Sequence, residues 1–297
     1  MRTITTNTEL RDLYADIQAT NTRIGFVPTM GALHDGHLSL LTRAKAENDL
    51  VVVSIFVNPT QFNDQKDLEK YPRTLTSDAS KLAAAGCDVL YAPDVDEVYG
   101  GMMEKQAVDY GALTAILEGA KRPGHYDGVV QVVRRLFEIV LPNNAYFGKK
   151  DFQQVAIISE MVRREALPVN IVPCDLIRDE DGLALSSRNM LLSQESKRHA
   201  LALVNTLRAM KDRYLEQSPE ELEAWGRKQL KENPCVELEY LEVLDGRNFE
   251  QPKEWERFNS PMALVAAFVG GVRLIDNMEF IVDDEVKKTA KTAIFAL

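Results

Sequence analysis

The run Leu50-Val-Val-Val-Ser-Ile-Phe-Val57 is apolar at every position but one. A strand with one wet face alternates apolar and polar residues. A run this continuous reads as a strand covered on both faces, the pattern of the interior of a parallel sheet sandwiched by helices. It is eight residues long, as is the second strong apolar run, Met262–Val269, and a membrane span needs about 20.

The flanking pattern agrees with a layered α/β domain. Strand signals fall at Arg23–Pro28, Cys87–Tyr91, Ala145–Phe147 and Val169–Pro173. Helix signals fall at His37–Asn48, Leu75–Ala85 and Phe152–Glu165. Between them, Val129, Val132, Val133, Leu136, Phe137 and Val140 repeat with the period of a buried helix face. Alternating strands and helices imply a parallel sheet with right-handed crossovers. The C-terminal part changes character. Helices over Ser193–Leu215 and Pro219–Lys231 precede strands over Val236–Leu244, Met262–Val269 and Val272–Ile275, which predicts a smaller α+β domain. The turn-rich stretch Leu176–Arg188 contains the junction, with domains over residues 1–176 and 177–297.

The 297 residues carry 35 Lys and Arg against 45 Asp and Glu, a net charge of −10. That balance argues against a nucleic-acid or membrane-surface partner, both of which need a basic face. The three cysteines are widely spaced, an odd number without metal-ligand spacing, and Met1–Leu13 contains no apolar signal core. A cytoplasmic protein is expected.

Five segments carry chemical potential. Pro28-Thr-Met-Gly-Ala-Leu-His-Asp-Gly-His37 joins a strand to a helix. Its glycines allow close backbone approach, and His34 and His37 sit where a helix start attracts anions. The plain alternative is a turn with two incidental histidines. Asn58-Pro-Thr-Gln61 follows the buried strand, where open α/β sheets bind ligands; Asn58 can equally cap its own turn. Glu118–Gly128 is a basic, glycine-rich loop, either a mobile lid, an anion contact or a solvated connection. Gly148-Lys-Lys-Asp151 opens a helix carrying Gln154; here Lys150 can reach a phosphate and Asp151 a ribose, unless Asp151 is only a cap. Ser186-Ser187-Arg188 supplies two hydroxyls and a guanidinium in succession, a compact oxyanion or phosphate clamp; the alternative, a cap for the following helix, is better supplied by Ser193.

The Pro28–His37 segment resembles the HxGH element of the adenylyl-transferring α/β superfamily, and Ser186-Ser187-Arg188 resembles its second phosphate motif. All five segments in this order, with Arg273-Leu-Ile-Asp-Asn277 near the end, resemble the pantothenate synthetase (pantoate–β-alanine ligase) family over about Ile24 to Asn277. The resemblance implies a Rossmann-like N-terminal domain with a C-terminal lid, and ligation of pantoate to β-alanine through a pantoyl adenylate with Mg·ATP. It implies ATP contacts from Met30, Gly31, Ala32, Leu33, His34, Asp35, Gly36, His37, Gly148, Lys149, Lys150, Asp151, Ile177, Leu185, Ser186, Ser187 and Arg188. His34, His37, Lys150 and the Ser-Ser-Arg run would face the phosphates.

By the same resemblance Gln61 and Gln154 bind pantoate, with Asn58 and Arg122 close by, and Gln61 also faces β-alanine. Asp78 is a candidate Mg²⁺ ligand. A homodimer through the N-terminal domain is implied. Thr60, Lys149 and Asn144 depart from the common family pattern. A nucleotidylyltransferase would use the same histidine element but needs a basic acceptor pocket, whereas Asn58, Gln61 and Gln154 are neutral. A nucleotide binder without catalysis would not need so many positive donors.

Overall fold

The computed structural model describes residues 1–17 and 21–280. The chain forms two compact units, Met1–Ile177 and Arg178–Leu297.

In the first unit six parallel strands run β1 (Arg2–Ile4), β2 (Ile24–Thr29), β3 (Leu50–Ile55), β4 (Val89–Tyr91), β5 (Asn144–Gly148) and β6 (Asn170–Cys174), in the spatial order β1-β4-β3-β2-β5-β6. The continuous run at β3 is explained by its neighbours. Val52 packs with Phe26 and Phe137 into one core, while Val51 and Val53 pack with Leu41 and Leu82 into another. Successive strand side chains point to opposite faces, so burying both faces requires apolar residues at every position.

The main helices of this unit are α1 (Asn7–Ile17), α2 (Asp35–Glu47), α3 (Gln65–Lys70), α4 (Leu75–Ala84), α5 (Val95–Tyr99), α6 (Ala112–Ala115), α7 (Glu118–Lys121), α8 (His125–Val140) and α9 (Phe152–Glu165). The expectation of an open loop over Glu118–Gly128 needs correction. The stretch holds α7 and the first turn of α8, which begins after Gly124 in a left-handed conformation. The buried Gln153 ties it down: its Oε1 accepts from the Glu118 N–H, and its Nε2 donates to the carbonyls of Leu113 and Ile116.

The second unit stacks α10 (Gln194–Arg213) and α11 (Pro219–Lys231) on an antiparallel sheet of β7 (Val236–Asp245), β8 (Pro261–Val269) and β9 (Val272–Glu279), ordered β7-β8-β9. Leu203, Leu207, Leu222, Leu241, Val265 and Leu274 belong to its own core. Strand β9 runs four residues beyond the sequence expectation because Asp276 and Asn277, polar and so read as an end, keep pairing with Val265 and Leu264.

Candidate active site

In the first unit the strand order turns about at β2 and β5, since β3 and β4 lie to one side and β6 to the other. Ligands in such sheets bind outside the carboxyl ends at that reversal. Met30–His37 follows β2 and Lys149–Asp151 follows β5.

The turn after β2 is held from behind. Gly31 has φ of +82° and Ala32 of +50°, and the left-handed region disfavours a residue with a Cβ. The Asp78 carboxylate on α4 fixes this shape. It accepts from the N–H groups of Ala32 at 2.8 Å and Leu33 at 2.9 Å, and from Thr74 Oγ1 at 3.0 Å. One turn along the same helix, Lys81 Nζ donates to the Leu33 carbonyl at 2.6 Å. Asp78, the candidate Mg²⁺ ligand, is 0% exposed and both its oxygens accept hydrogen bonds from the Ala32 and Leu33 N–H groups, so this carboxylate shapes the turn.

His34 is the N-cap of α2 and His37 its third residue. The Gly36 N–H donates to His34 Nδ1 at 3.2 Å, and the His34 N–H donates to His37 Nδ1 at 3.3 Å. This is a reciprocal capping box with imidazole nitrogens as acceptors. A neutral imidazole has one acceptor and one donor nitrogen, so in both rings the proton sits on Nε2. The rings lie 4.1 Å apart between centroids. Burial, then the Lys150 ammonium, hold the His34 pKa down at about 4. Burial, then His34 and Lys150, lower His37 to about 3. At neutral pH the pair therefore presents two uncharged Nε2–H donors beside a lysine.

Beyond β3 the chain turns through a short helix at Pro59–Gln61, and Asn58 organises that turn. Its Oδ1 accepts from Tyr99 Oη at 2.7 Å, Thr60 Oγ1 at 3.1 Å and the Thr60 N–H at 3.3 Å. Its Nδ2 donates to Gln61 Oε1 and the Gly128 carbonyl, both at 3.1 Å. Asn58 is 1% exposed, so it orients Gln61 and has no face left for a substrate. Gln61 Nε2 in turn reaches Met30 Sδ at 3.3 Å, which joins the turns after β2 and β3. Thr60, a departure from the family pattern, turns its hydroxyl inward to Asn58.

His125 is a site residue that the sequence reading passes over. Arg122 has only donors, and its Nη1 lies 3.0 Å from His125 Nε2, so that nitrogen accepts. Nδ1 then carries the proton and donates to the Gln61 carbonyl at 2.8 Å. Burial, then the Arg122 charge, lower the His125 pKa to about 4. Arg122 itself lies 3.6 Å from Glu118 in an ion pair. It braces Gln61 through His125.

After β5, Lys150 Nζ lies 3.4 Å from the Asp151 carboxylate. Asp151 is the N-cap of α9 without a side-chain capping bond, so the capping alternative does not describe it. Lys149 pairs with Asp175 at 2.8 Å. Gln154 is half-buried on the first turn of α9, and Ile177 is 36% exposed at the end of the unit. In the second unit Ser186 caps a short helix over Ser187–Leu191, its hydroxyl accepting from the Arg188 N–H at 3.3 Å. Ser187 is buried, and Leu185 and Arg188 are half-buried. The α10 cap is Ser193, accepting from the Ser196 N–H, which leaves the Ser-Ser-Arg run out of that role.

These features define a doubly wound α/β protein whose strand-to-helix turns offer neutral and charged donors to an anion at the sheet reversal. A family model for pantoate-beta-alanine ligase matches residues 2–279. A pantothenate synthetase from Porphyromonas gingivalis is 44% identical over 280 residues, covering 94% of this chain and 99% of that protein. One from Bacteroides fragilis is 44% identical, covering 91% and 97%. Among solved structures, the pantothenate synthetase from Thermus thermophilus aligns with a TM-score of 0.88 at 42% identity, covering 95% of this chain and 100% of that one. A pantoate-beta-alanine ligase from Francisella tularensis, complexed with beta-gamma ATP and beta-alanine, aligns at 0.78 with 34% identity, covering 95% and 99%. The chain belongs to the pantoate-beta-alanine ligase family of enzymes.

Proposed function

We propose that the protein condenses pantoate with β-alanine at the expense of ATP, through a pantoyl adenylate. The observation that carries this reading is the tautomer set at α2: both Nδ1 atoms accept backbone N–H groups, so both Nε2–H groups of His34 and His37 are donors beside Lys150. Attack of a carboxylate on a polyphosphate brings like charges together. Donors positioned where charge develops are the largest remedy for that repulsion.

In the first step a pantoate carboxylate oxygen bonds to the α-phosphorus, and the bond to the bridging oxygen breaks, releasing pyrophosphate. In the second step the β-alanine amine attacks the acyl carbon, sheds one proton, and AMP departs. The pantoate carboxylate is already ionised, so the first step needs no general base. Met30–His37, Gly148 and Lys150–Asp151 line the nucleotide side in this reading, with Ile177 and Leu185 at the adenine. Ser186, Ser187 and Arg188 add phosphate donors. Gln61 and Gln154 take pantoate, and Gln61 meets β-alanine.

Mg²⁺ enters as the counter-ion of ATP. Among the described residues no group of three or more His, Cys, Asp or Glu is gathered to hold an ion, and Mg²⁺ commonly takes its oxygens from phosphates and water. The second unit buries its own core, which supports a role as a lid moving as one body. We further assign the enzyme to the cytoplasm, as a homodimer through its first unit; size-exclusion chromatography with light scattering reads the dimer.

The test is mass spectrometry of the enzyme with Mg·ATP and pantoate but no β-alanine. A mixed anhydride with stoichiometric pyrophosphate is expected, and AMP with pantothenate on adding β-alanine. Folded protein that yields neither rejects the reading.

A further inference from the structure

Arg178 opens the second unit and lies ten residues before Arg188. Its guanidinium makes a two-pronged ion pair with Asp276 on β9: Nη1 donates to Oδ2 at 2.7 Å and Nη2 to Oδ1 at 2.9 Å. The same two nitrogens also donate to the carbonyls of Gly182 at 3.1 Å and Asn277 at 3.2 Å. One side chain thus joins a turn, a strand backbone and a carboxylate that is 4% exposed.

The turn it grips leads into the Ser-Ser-Arg run. Arg178 and Ala184 form a β-bridge. Inside it the Asp179 N–H donates to the Leu183 carbonyl, and the Leu183 N–H donates to Asp179 Oδ1 at 2.8 Å. Gly182 reverses the chain at φ of +98°. On the far side, Asn189 Nδ2 donates to the Ala184 carbonyl at 2.9 Å, and the Asn189 N–H to the Ser186 carbonyl. Residues 185–188 are therefore a short arch closed between Ala184 and Asn189. Leu183 and Leu192 plug its two ends into the core. Two apolar plugs hold the arch in place but leave its orientation to directional bonds. The Arg178 fork ties the turn to β9, on which the short helix Ser187–Leu191 also packs.

We propose that Arg178 and Asp276 are positioning residues, an ionic fork that orients the Ser186-Ser187-Arg188 arch for the nucleotide phosphates. The proposal rests on the phosphate role given to that arch above. A lysine in place of Arg178 keeps the charge but is a point donor that cannot reproduce the planar fork. Misplacing a reacting contact by an ångström costs up to about 10²-fold in rate.

The test compares Arg178→Lys, Arg188→Ala and the double variant, with Asp276→Asn as a second route to the fork. Steady-state rates with ATP, pantoate and β-alanine are read on full-length protein whose folding is checked by circular dichroism. Arg178→Lys is expected to lower kcat/KM for ATP on the order of 10-fold to 100-fold, with KM for pantoate unchanged. In the Arg188→Ala background it is expected to add little, because it acts through the same arch. Losses that multiply in the double variant, or an impaired Arg188→Ala beside an unaffected Arg178→Lys and Asp276→Asn, overturn the positioning role alone. An Arg188→Ala enzyme with normal ATP kinetics removes the phosphate role of the arch and this proposal with it.

Discussion

The imidazoles of His34 and His37 cap one helix reciprocally, each spending Nδ1 on a backbone N–H of the turn they stand on. A proton added at either Nδ1 would turn an acceptor into a donor facing a donor. The helix start and the protonation state of the site are thus linked, and burial, with the nearby Lys150 ammonium, holds both rings in the neutral form that the cap requires.

Stability should accordingly fall with acid well before the carboxylates titrate. The unfolded-state value of each histidine is near 6.5, while the folded values are about 4 for His34 and His125 and about 3 for His37. Between those limits the unfolded chain binds more protons, so unfolding free energy rises with pH and is lost as pH drops below 6.5. The loss is at most about 1.4 kcal/mol per histidine per pH unit, and less for His34, which is partly open to solvent. Urea midpoints measured from pH 7.5 to 5 read it. A midpoint that stays flat from 6.5 to 5 contradicts the neutral, buried assignment.

Replacing Asp78 by alanine orphans the N–H groups of Ala32 and Leu33 in a site closed to water. At about 1–3 kcal/mol for each abandoned buried donor, the variant should lose roughly 2–6 kcal/mol of stability. Chemical denaturation measures it. A loss below about 1 kcal/mol would show that the turn keeps its shape without the carboxylate.

The adjacent lysines should separate cleanly. Lys149 spends its ammonium on the exposed Asp175, a pair of the kind worth about 1 kcal/mol or less, and Lys149→Ala should leave turnover within about two-fold. Lys150 acts on both histidine rings, and Lys150→Ala should slow adenylate formation by on the order of 10²–10³ if it stabilises the transition state. Pyrophosphate release in single-turnover experiments discriminates them. Equal effects of the two substitutions would remove Lys150 from the chemistry.

What can be read from the chain is whatever leaves a local trace. The double-sided burial of β3 is written in its uninterrupted run, and α9 and α11 match their expected limits because periodicity and turn residues mark both ends. The edge strand Arg2–Ile4 escapes a sequence reading, since three residues are too few for a period to show. The helix α1 after it does carry a trace, Leu10, Leu13, Tyr14 and Ile17 at helical spacing, which the reading passes over. Roles set by tertiary contact are harder. Nothing near Asp78 announces that its partners are N–H groups 45 and 46 residues away. Asn58 looks like a substrate ligand because a free amide and one saturated by Tyr99, Thr60, Gln61 and Gly128 are alike in sequence. Gln153 does leave a trace: it shares the inward face of α9 with Ile157, Ile158 and Met161, so the same spacing that finds a core helix marks it as buried.

Ala32 keeps a methyl group where the backbone would be more comfortable with none. Glycine there would relieve about 1–2 kcal/mol of steric conflict, yet it would also open conformations that the present residue forbids. The turn therefore holds a small strain, and in return it is confined to one shape. An engineer who sought a hardier protein by relaxing this residue would be expected to gain melting temperature and lose affinity in the same stroke.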